Sequence, residues 1–330
     1  ARLEKEEDGL MPKTLFSKTS SLGDVIHHMP AVTDARKHFP NAKISWMVEE
    51  AYVPLAKLHP GVNDVIPVAV RRWRKAILKP ATFSKTWGEV SRLRAKLKLR
   101  RFDKIIDTQG LLKTVLLSKW ARGERHGYDK DSIREPLASR FYHVKHAVSR
   151  ELHAVDRNRA LTAAALGYKV EGGPDYGIDR KRIAPVSDAP YALLFHATAQ
   201  ERKEWPEDRW IEVGKMLEAR GITPVLPWGN DREKARSERI KAALKNARVP
   251  DKAPLGEVAG LIAGATLVAG VDTGLLHLAA ALEVPLVAIF VATKPGLSGP
   301  VGRGPLKVLG TSGEVPETAA VLDAIESLPR

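Results

Sequence analysis

At 330 residues and 44% hydrophobic content, the chain is long enough for two domains of ordinary size, and disorder is not its default state. It has no cysteine, which removes disulfides, thiol nucleophiles and cysteine-ligated zinc, and is compatible with a reducing compartment. Fifty-three Lys and Arg against 39 Asp and Glu leave a net charge of +14, so an anionic partner is expected.

The opening ARLEKEEDGL is acidic and charged instead of basic then apolar, which argues against a signal peptide. Met11 reads as the natural start and residues 1–10 as a tag or disordered extension. No apolar run is long enough to span a bilayer; the longest uncharged stretch, Val258 to Val271, is short and rich in Gly and Ala. The short apolar stretch Thr14-Leu15-Phe16 leads into the polar turn KTSSLGD, Lys18 to Asp24. Val25, Ile26, Met29 and Val32 then recur at helical spacing. Strand, turn, helix is the start of an α/β unit, whose turn lies at the sheet edge where such folds place ligands. Asp24 therefore stands at a helix start facing a cleft. Taken alone, it is an N-cap or first-turn acid complementing the helix dipole.

Lys43 to Val48 reads as a strand, about 51–58 as a helix, His59-Pro60-Gly61 as a turn and about 64–70 as a strand. The basic segment RRWRKAILKP follows, then a helix from about Trp87 to Leu99 with Arg92, Arg94, Lys96 and Lys98 on its polar face. Between Arg71 and Lys104, thirteen basic residues meet only Glu89 and Asp103, so most of the charge imbalance is local. Arg71, Arg72, Arg74 and Lys75 suit a polyanionic acceptor, because Arg grips phosphate or carboxylate with two parallel hydrogen bonds. The same composition serves nucleic acid, an anionic membrane surface or a merely solvated helix. Trp73, Ile77 and Leu78 give the segment an interfacial character. Lys104 to Asp107 is a buried-type strand ending in Thr108-Gln109-Gly110, followed by a helix over LLKTVLLSKWA, a loop from Tyr128 to Ser139 and a helix over 152–166.

Gly172 to Asp188, rich in Gly, Pro and charge, reads as a linker. The alternation then restarts, with strands at 191–195, 222–226, 266–271, 285–290 and 306–309 and helices at 206–219, 231–245, 255–263, 274–282 and 318–328. The expected division is an N-terminal Rossmann-like domain over 11–175, a linker over 176–188 and a C-terminal Rossmann-like domain over 189–315. A last helix within 316–330 is expected to pack back on the first domain. Two α/β domains joined in this way imply a cleft between their carboxyl edges.

The second half supplies candidate ligands at strand ends. Asp272-Thr273-Gly274 follows the strand TLVAGV and opens a helix, a junction that presents free N–H groups and positive potential to phosphate. His277 lies on the same first turn. YALLF runs into His196-Ala197-Thr198, and Lys203 follows before Trp205-Pro206, where it can neutralise a diphosphate. Beyond Pro227-Trp228-Gly229, Glu233 is placed to accept ribose hydroxyls. Each has a structural alternative: helix cap, solvated lysine, acidic first turn. Together they suit a nucleotide diphosphate. No G-x-G-x-x-G and no G-x-x-x-x-G-K-[ST] occurs, which argues against a dinucleotide dehydrogenase and a P-loop enzyme.

KTSSLGDVIHHMPA, RRWRK, IIDTQGLLK, SIREPLAS, HAT followed by KEWP, LPWG and VDTGLLHLAAAL closely resemble the bacterial ADP-heptose–lipopolysaccharide heptosyltransferases of glycosyltransferase family 9, from Met11 to the C-terminus. RRWRK and REPLAS favour the branch acting on the Kdo-lipid A core. The resemblance implies a GT-B architecture, two Rossmann-like doubly wound domains facing a central cleft, with the donor on the second. It implies inverting transfer of L-glycero-D-manno-heptose from ADP-heptose to Kdo2-lipid A, with no metal and no cofactor. A cytoplasmic enzyme, peripheral on the anionic inner face of a Gram-negative inner membrane, is expected, with no nucleic-acid partner. Asp24 matches the general base. Thr198, Lys203, Glu233, Asp272, Thr273, Gly274 and His277 match the donor site. Lys18, Arg71, Arg72, Arg74, Lys75 and Arg134 match acceptor-side groups. Ala199 departs from an expected Thr, and Lys294 replaces an Asp usual before Pro-Gly, so that loop is left outside the expected site. Asp129-x-Asp131 falls in an acceptor-domain loop and is weak evidence for a metal. Another family member with a different acceptor, or a basic nucleic-acid-binding α/β protein, are the alternatives.

Overall fold

The computed structural model describes residues 12–184 and 189–329. The expected N-terminal extension, and residues 185–188 of the expected linker, lie outside them. The first half runs β1 (Lys13–Ser17), α1 (Leu22–Ile26), α2 (Met29–His38), β2 (Lys43–Glu49), α3 (Val53–Ala56), β3 (Asp64–Val68), α4 (Val70–Ala76), α5 (Pro80–Lys98), β4 (Arg101–Asp107), α6 (Leu112–Ser118), β5 (Arg122–Tyr128), β6 (Val144–His146) and α7 (Ala154–Leu166). The second runs β7 (Tyr191–Phe195), α8 (Glu207–Ala219), β8 (Thr223–Val225), α9 (Asp231–Ala242), α10 (Leu255–Gly264), β9 (Leu267–Val271), α11 (Gly274–Ala281), β10 (Leu286–Ile289), β11 (Leu306–Leu309) and α12 (Thr318–Glu326).

Both sheets are parallel throughout their named pairings. The first has the order β3-β2-β1-β4-β5-β6, the dinucleotide-fold order. The second is β11-β10-β9-β7-β8, the other common doubly wound order. In each, strand order reverses at one crevice, between β1 and β4 in the first sheet and between β7 and β9 in the second. The turns that follow these four strands are KTSSLGD, TQG, HAT and DTG. Strands β7, β9 and β10 are buried at every position, which explains their uninterrupted apolar sequence.

The halves share one core. Phe16, Ile26 and Leu55 belong to the same buried cluster as Tyr191, Ile262 and Leu276. Helix α1 packs on α11 and α3 on α10. The glycines at the first contact are steric requirements: a Cβ on Gly23 would lie 2.9 Å from the His277 ring, and one on Gly274 would lie 2.8 Å from Leu22.

Three differences from the sequence reading stand out. The last helix packs on α8 and the second sheet, not back on the first domain: Val321, Ala324, Ile325 and Leu328 form an i, i+3, i+4, i+7 stripe that enters the second core. The basic segment is itself helix α4, and α5 begins at Pro80, earlier than expected. Strands β5 and β6 have no apolar alternation to announce them, because β5 is the polar RGERHGY and β6 is three residues long.

Candidate active site

The KTSSLGD turn is held by residues in or just after the two neighbouring strands. The Gln109 side-chain oxygen accepts from the Thr19 and Ser20 amides, each at 3.1 Å. The Trp46 indole donates to the Lys18 carbonyl at 3.1 Å, and the Glu49 amide to the Thr19 carbonyl at 3.1 Å. Two neighbouring strand ends thus fix the start of α1. Within it, Asp24 Oδ2 accepts from the Ser21 amide at 2.7 Å and the Ser21 hydroxyl at 3.1 Å. Asp24 Oδ1 lies 3.9 Å from Lys18 Nζ, and the Asp24 side chain is 26% exposed. The cap expected from sequence is present, and it aims the second oxygen at the cleft. Lys18 is buried, donating to the Thr108 carbonyl at 3.0 Å and to Asn158 at 3.3 Å. Burial lowers its pKa, while Asp24 and Asp107 oppose that shift.

Asp24 stands where two cavities meet. One, about 790 Å³, is lined on the first half by Ser21, Gly23, His27 and Tyr52, and on the second by Thr198, Lys203, Asp272, Thr273, Gly274 and His277. The other, about 480 Å³, is walled by Lys18, Gln109, Arg134, Arg150, Arg157 and Asn158. Asp24, Ala154 and Ser298 line both.

On the second half, Lys203 Nζ lies 2.7 Å from Asp272 Oδ2, which also accepts from the Thr293 hydroxyl at 2.7 Å. This puts cation and acid beside the free N-terminus of α11. His277 Nδ1 meets His27 Nε2 at 3.0 Å across the junction of the halves. Desolvation lowers the His277 pKa to about 4, and burial followed by the neighbouring His277 holds His27 well below its ordinary range. At neutral pH the pair shares a hydrogen bond between uncharged rings. Nearby, the Ala154 amide donates to the Leu297 carbonyl at 2.8 Å and His153 pairs with the Gly299 carbonyl at 3.1 Å, tying α7 to the 293–299 loop.

The expected residues do not all converge. Glu233 is absent from the lining of the large cavity. It accepts from the Gly229 amide and the Asn230 side chain, both at 2.7 Å, as part of the α9 cap. Arg71, Arg72 and Lys75 line a separate basic groove of about 410 Å³ between α4 and α5. There Arg72 is held by Glu50 at 2.9 Å and Glu89 at 2.7 Å. Arg74 is exposed on α4 and lines none of these cavities. Arg71 links groove to cleft, donating to the Tyr52 hydroxyl at 3.0 Å. Thr293, Lys294 and Ser298, in the loop left outside the expected site, line the cleft, as does Ala199. Their signal was position, directly after the apolar strand PLVAIF at a sheet's carboxyl edge. Arg157 and Asn158 carried none, since nothing local says which face of α7 meets the cleft, and neither did Arg150, in the turn before that helix. Asp129 accepts from the Ser132 amide at 2.8 Å in a turn. Among the described residues no three His, Asp or Glu side chains are grouped as a metal would need, and no helix is long and apolar enough to cross a membrane.

Comparison with known proteins agrees with this geometry. Residues 90–321 match the profile of glycosyltransferase family 9 (heptosyltransferase). The chain is 44% identical to lipopolysaccharide heptosyltransferase 1 of Pseudomonas aeruginosa over 294 residues, 88% of this chain and 82% of that protein. Among solved structures it is similar to the E. coli heptosyltransferase WaaC with ADP, with TM-score 0.87 and 38% identity over 95% of this chain and 99% of the other. The same enzyme with ADP-2-deoxy-2-fluoro heptose gives TM-score 0.84 and 39% identity over the same shares. A two-domain GT-B fold, a cleft built from both switch points and these relatives have one explanation: the chain belongs to glycosyltransferase family 9, the heptosyltransferases.

Proposed function

We propose that this heptosyltransferase moves L-glycero-D-manno-heptose from ADP-heptose onto a Kdo hydroxyl of Kdo2-lipid A, with inversion, in making the lipopolysaccharide inner core. The observation that carries the reading is the place of Asp24, one carboxylate shared by a cavity ending on the β9–α11 junction and a cavity walled by cations. In this reading the first cavity takes the donor. The N-terminus of α11 at Thr273 and Gly274, with Lys203, meets the diphosphate, so the charge that develops on departing ADP is neutralised as it forms. Asp272 then exchanges part of its pairing with Lys203 for donor hydroxyls. The second cavity takes the acid-rich acceptor, its carboxylates facing Lys18, Arg134, Arg150 and Arg157. Asp24 Oδ1 accepts the proton from the attacking hydroxyl as the new bond to the anomeric carbon forms and the bond to the diphosphate oxygen breaks.

The assignment gives the leaving charge to Lys203 and a helix end, so turnover is expected to persist in excess EDTA. Identity of 44% to a heptosyltransferase 1, against 26% to a heptosyltransferase 2 of Salmonella typhimurium, supports the first-heptose acceptor. We place the enzyme at the inner face of a Gram-negative inner membrane, where a lipid-linked acceptor would be met. The test is ADP release by purified protein from ADP-heptose with Kdo2-lipid A. No turnover with this pair, in the presence of a working control enzyme, refutes the assignment.

A further inference from the structure

Helices α4 and α5 are an excursion between β3 and β4 that the core hardly uses. Helix α4 fully buries no residue, and the nineteen residues of α5 bury only Thr86 and Leu97. Among its many exposed cations the excursion also exposes large apolar side chains. Leu78, at the turn between the helices, is 83% exposed, Phe83 is 48% and Trp87 is 55%. Phe83 and Trp87 are one helical turn apart with stacked rings, centroids 6.3 Å apart at 9°. Around them the charge is of one sign: residues 70–98 hold ten Lys or Arg and a single acid, Glu89. That acid is turned inward, accepting from Arg72 at 2.7 Å and from the Trp73 indole at 2.9 Å, which clamps α4 onto α5. The outward surface is thus an apolar tip set among cations, the composition of an element that lies in a membrane interface.

We propose that the Leu78, Phe83 and Trp87 face docks on an anionic lipid bilayer. The apolar tip enters the headgroup boundary while Lys79, Lys85 and Arg92 contact lipid phosphates. Stacked aromatics and cations also suit single-stranded nucleic acid, but an almost fully exposed leucine at the tip has no use on a polyanion and a direct one among acyl chains. The face adjoins the basic groove of Arg71, Arg72 and Lys75, and Arg71 reaches Tyr52 in the cleft. Docking there presents the groove and cleft to an acceptor anchored in the same bilayer, and in this respect the inference rests on the lipid-linked acceptor proposed above.

The experiment is flotation of the full chain with vesicles of phosphatidylcholine alone or with added phosphatidylglycerol, free of lipid A, at low and high salt. Binding is expected only to the anionic vesicles, weaker in high salt, and reduced about tenfold or more in Leu78→Ser/Phe83→Ser/Trp87→Ser. Brominated acyl chains are expected to quench tryptophan emission in the wild type and markedly less in Trp87→Phe. The triple variant is expected to keep wild-type turnover on an acceptor stripped of its acyl chains, which also proves it folded, and to lose turnover on vesicle-embedded acceptor. Unchanged vesicle binding by the triple variant overturns the proposal. So does preferential capture of an oligonucleotide over anionic vesicles, or a dimer that the triple variant abolishes. Failure of the wild type to transfer heptose to either acceptor overturns the functional reading instead, and vesicle binding then tests the surface by itself.

Discussion

The two oxygens of Asp24 have different partners, and this separates its structural from its chemical role. Oδ2 is occupied by the Ser21 amide and hydroxyl, while Oδ1 has, among the described residues, only Lys18 at 3.9 Å. An asparagine can keep the capping bond through its carbonyl but cannot take a proton. Asp24→Asn is therefore expected to lower kcat by roughly 10²- to 10⁴-fold while changing stability by less than about 1 kcal/mol. Its ADP-heptose affinity should stay near wild type, because the groups proposed to hold the diphosphate, Lys203, Thr273 and Gly274, belong to the other half. Turnover, thermal melts and calorimetric titration measure the three quantities, and a parallel loss of donor binding would return Asp24 to a purely structural role. Lys203 should behave oppositely. Lys203→Ala removes the cation that pairs with Asp272 at 2.7 Å and that is proposed to meet the diphosphate, so ADP affinity is expected to fall about tenfold or more.

Between elements, the contact of α1 with α11 makes the junction of the halves sensitive to acid. His277 is buried with a pKa of about 4 against an ordinary 6.5, faced by Asp272, His153 and Asp24. His27 is faced by His277, His153 and Lys18. Both rings are neutral in the folded chain, so between pH 6.5 and about 4 the unfolded chain binds more protons. Stability is then complete above that window and falls as pH falls through it, by roughly 2 kcal/mol for His277 alone at pH 5. Thermal melts of the wild type should show this decline, and a His27→Gln/His277→Gln variant should show a shallower one. The residual slope belongs to groups such as His59 and His196, which sit within one half each and are also depressed to about 4. Strands β7 and β9 could be read in sequence because burial on both faces leaves an apolar run, β1 and β4 from the shorter apolar pairs Leu15-Phe16 and Ile105-Ile106, and the turns after them marked the site. The neutral His27–His277 contact was not readable, because it joins residues 250 apart in sequence at 3.0 Å. Nor was the capping role of Glu233, whose spacing from Gly229 suits a ribose acid and a cap equally.

At the scale of the molecule, two sheets with separate strand orders invite the expectation of two independent folding units. The packing argues otherwise. One buried cluster takes in Phe16, Ile26 and Leu55 from the first half and Tyr191, Ile262 and Leu276 from the second. The α1–α11 contact allows no extra carbon at Gly23 or Gly274. Opening the halves fully would expose that shared apolar surface, so neither half is expected to outlast the other. Scanning calorimetry should give one transition whose calorimetric and van't Hoff enthalpies agree. ADP should then raise that whole transition, by about 2.7 kcal/mol of added stability at a hundredfold excess over Kd, although the contacts proposed for it lie on the second half. Two transitions, of which only one responds to ADP, would mean that the halves fold separately and that the shared cluster is a contact surface between them. The single-transition outcome has a functional corollary: diphosphate held at α11 steadies α1, and with it the direction of Asp24, through the same packed glycines.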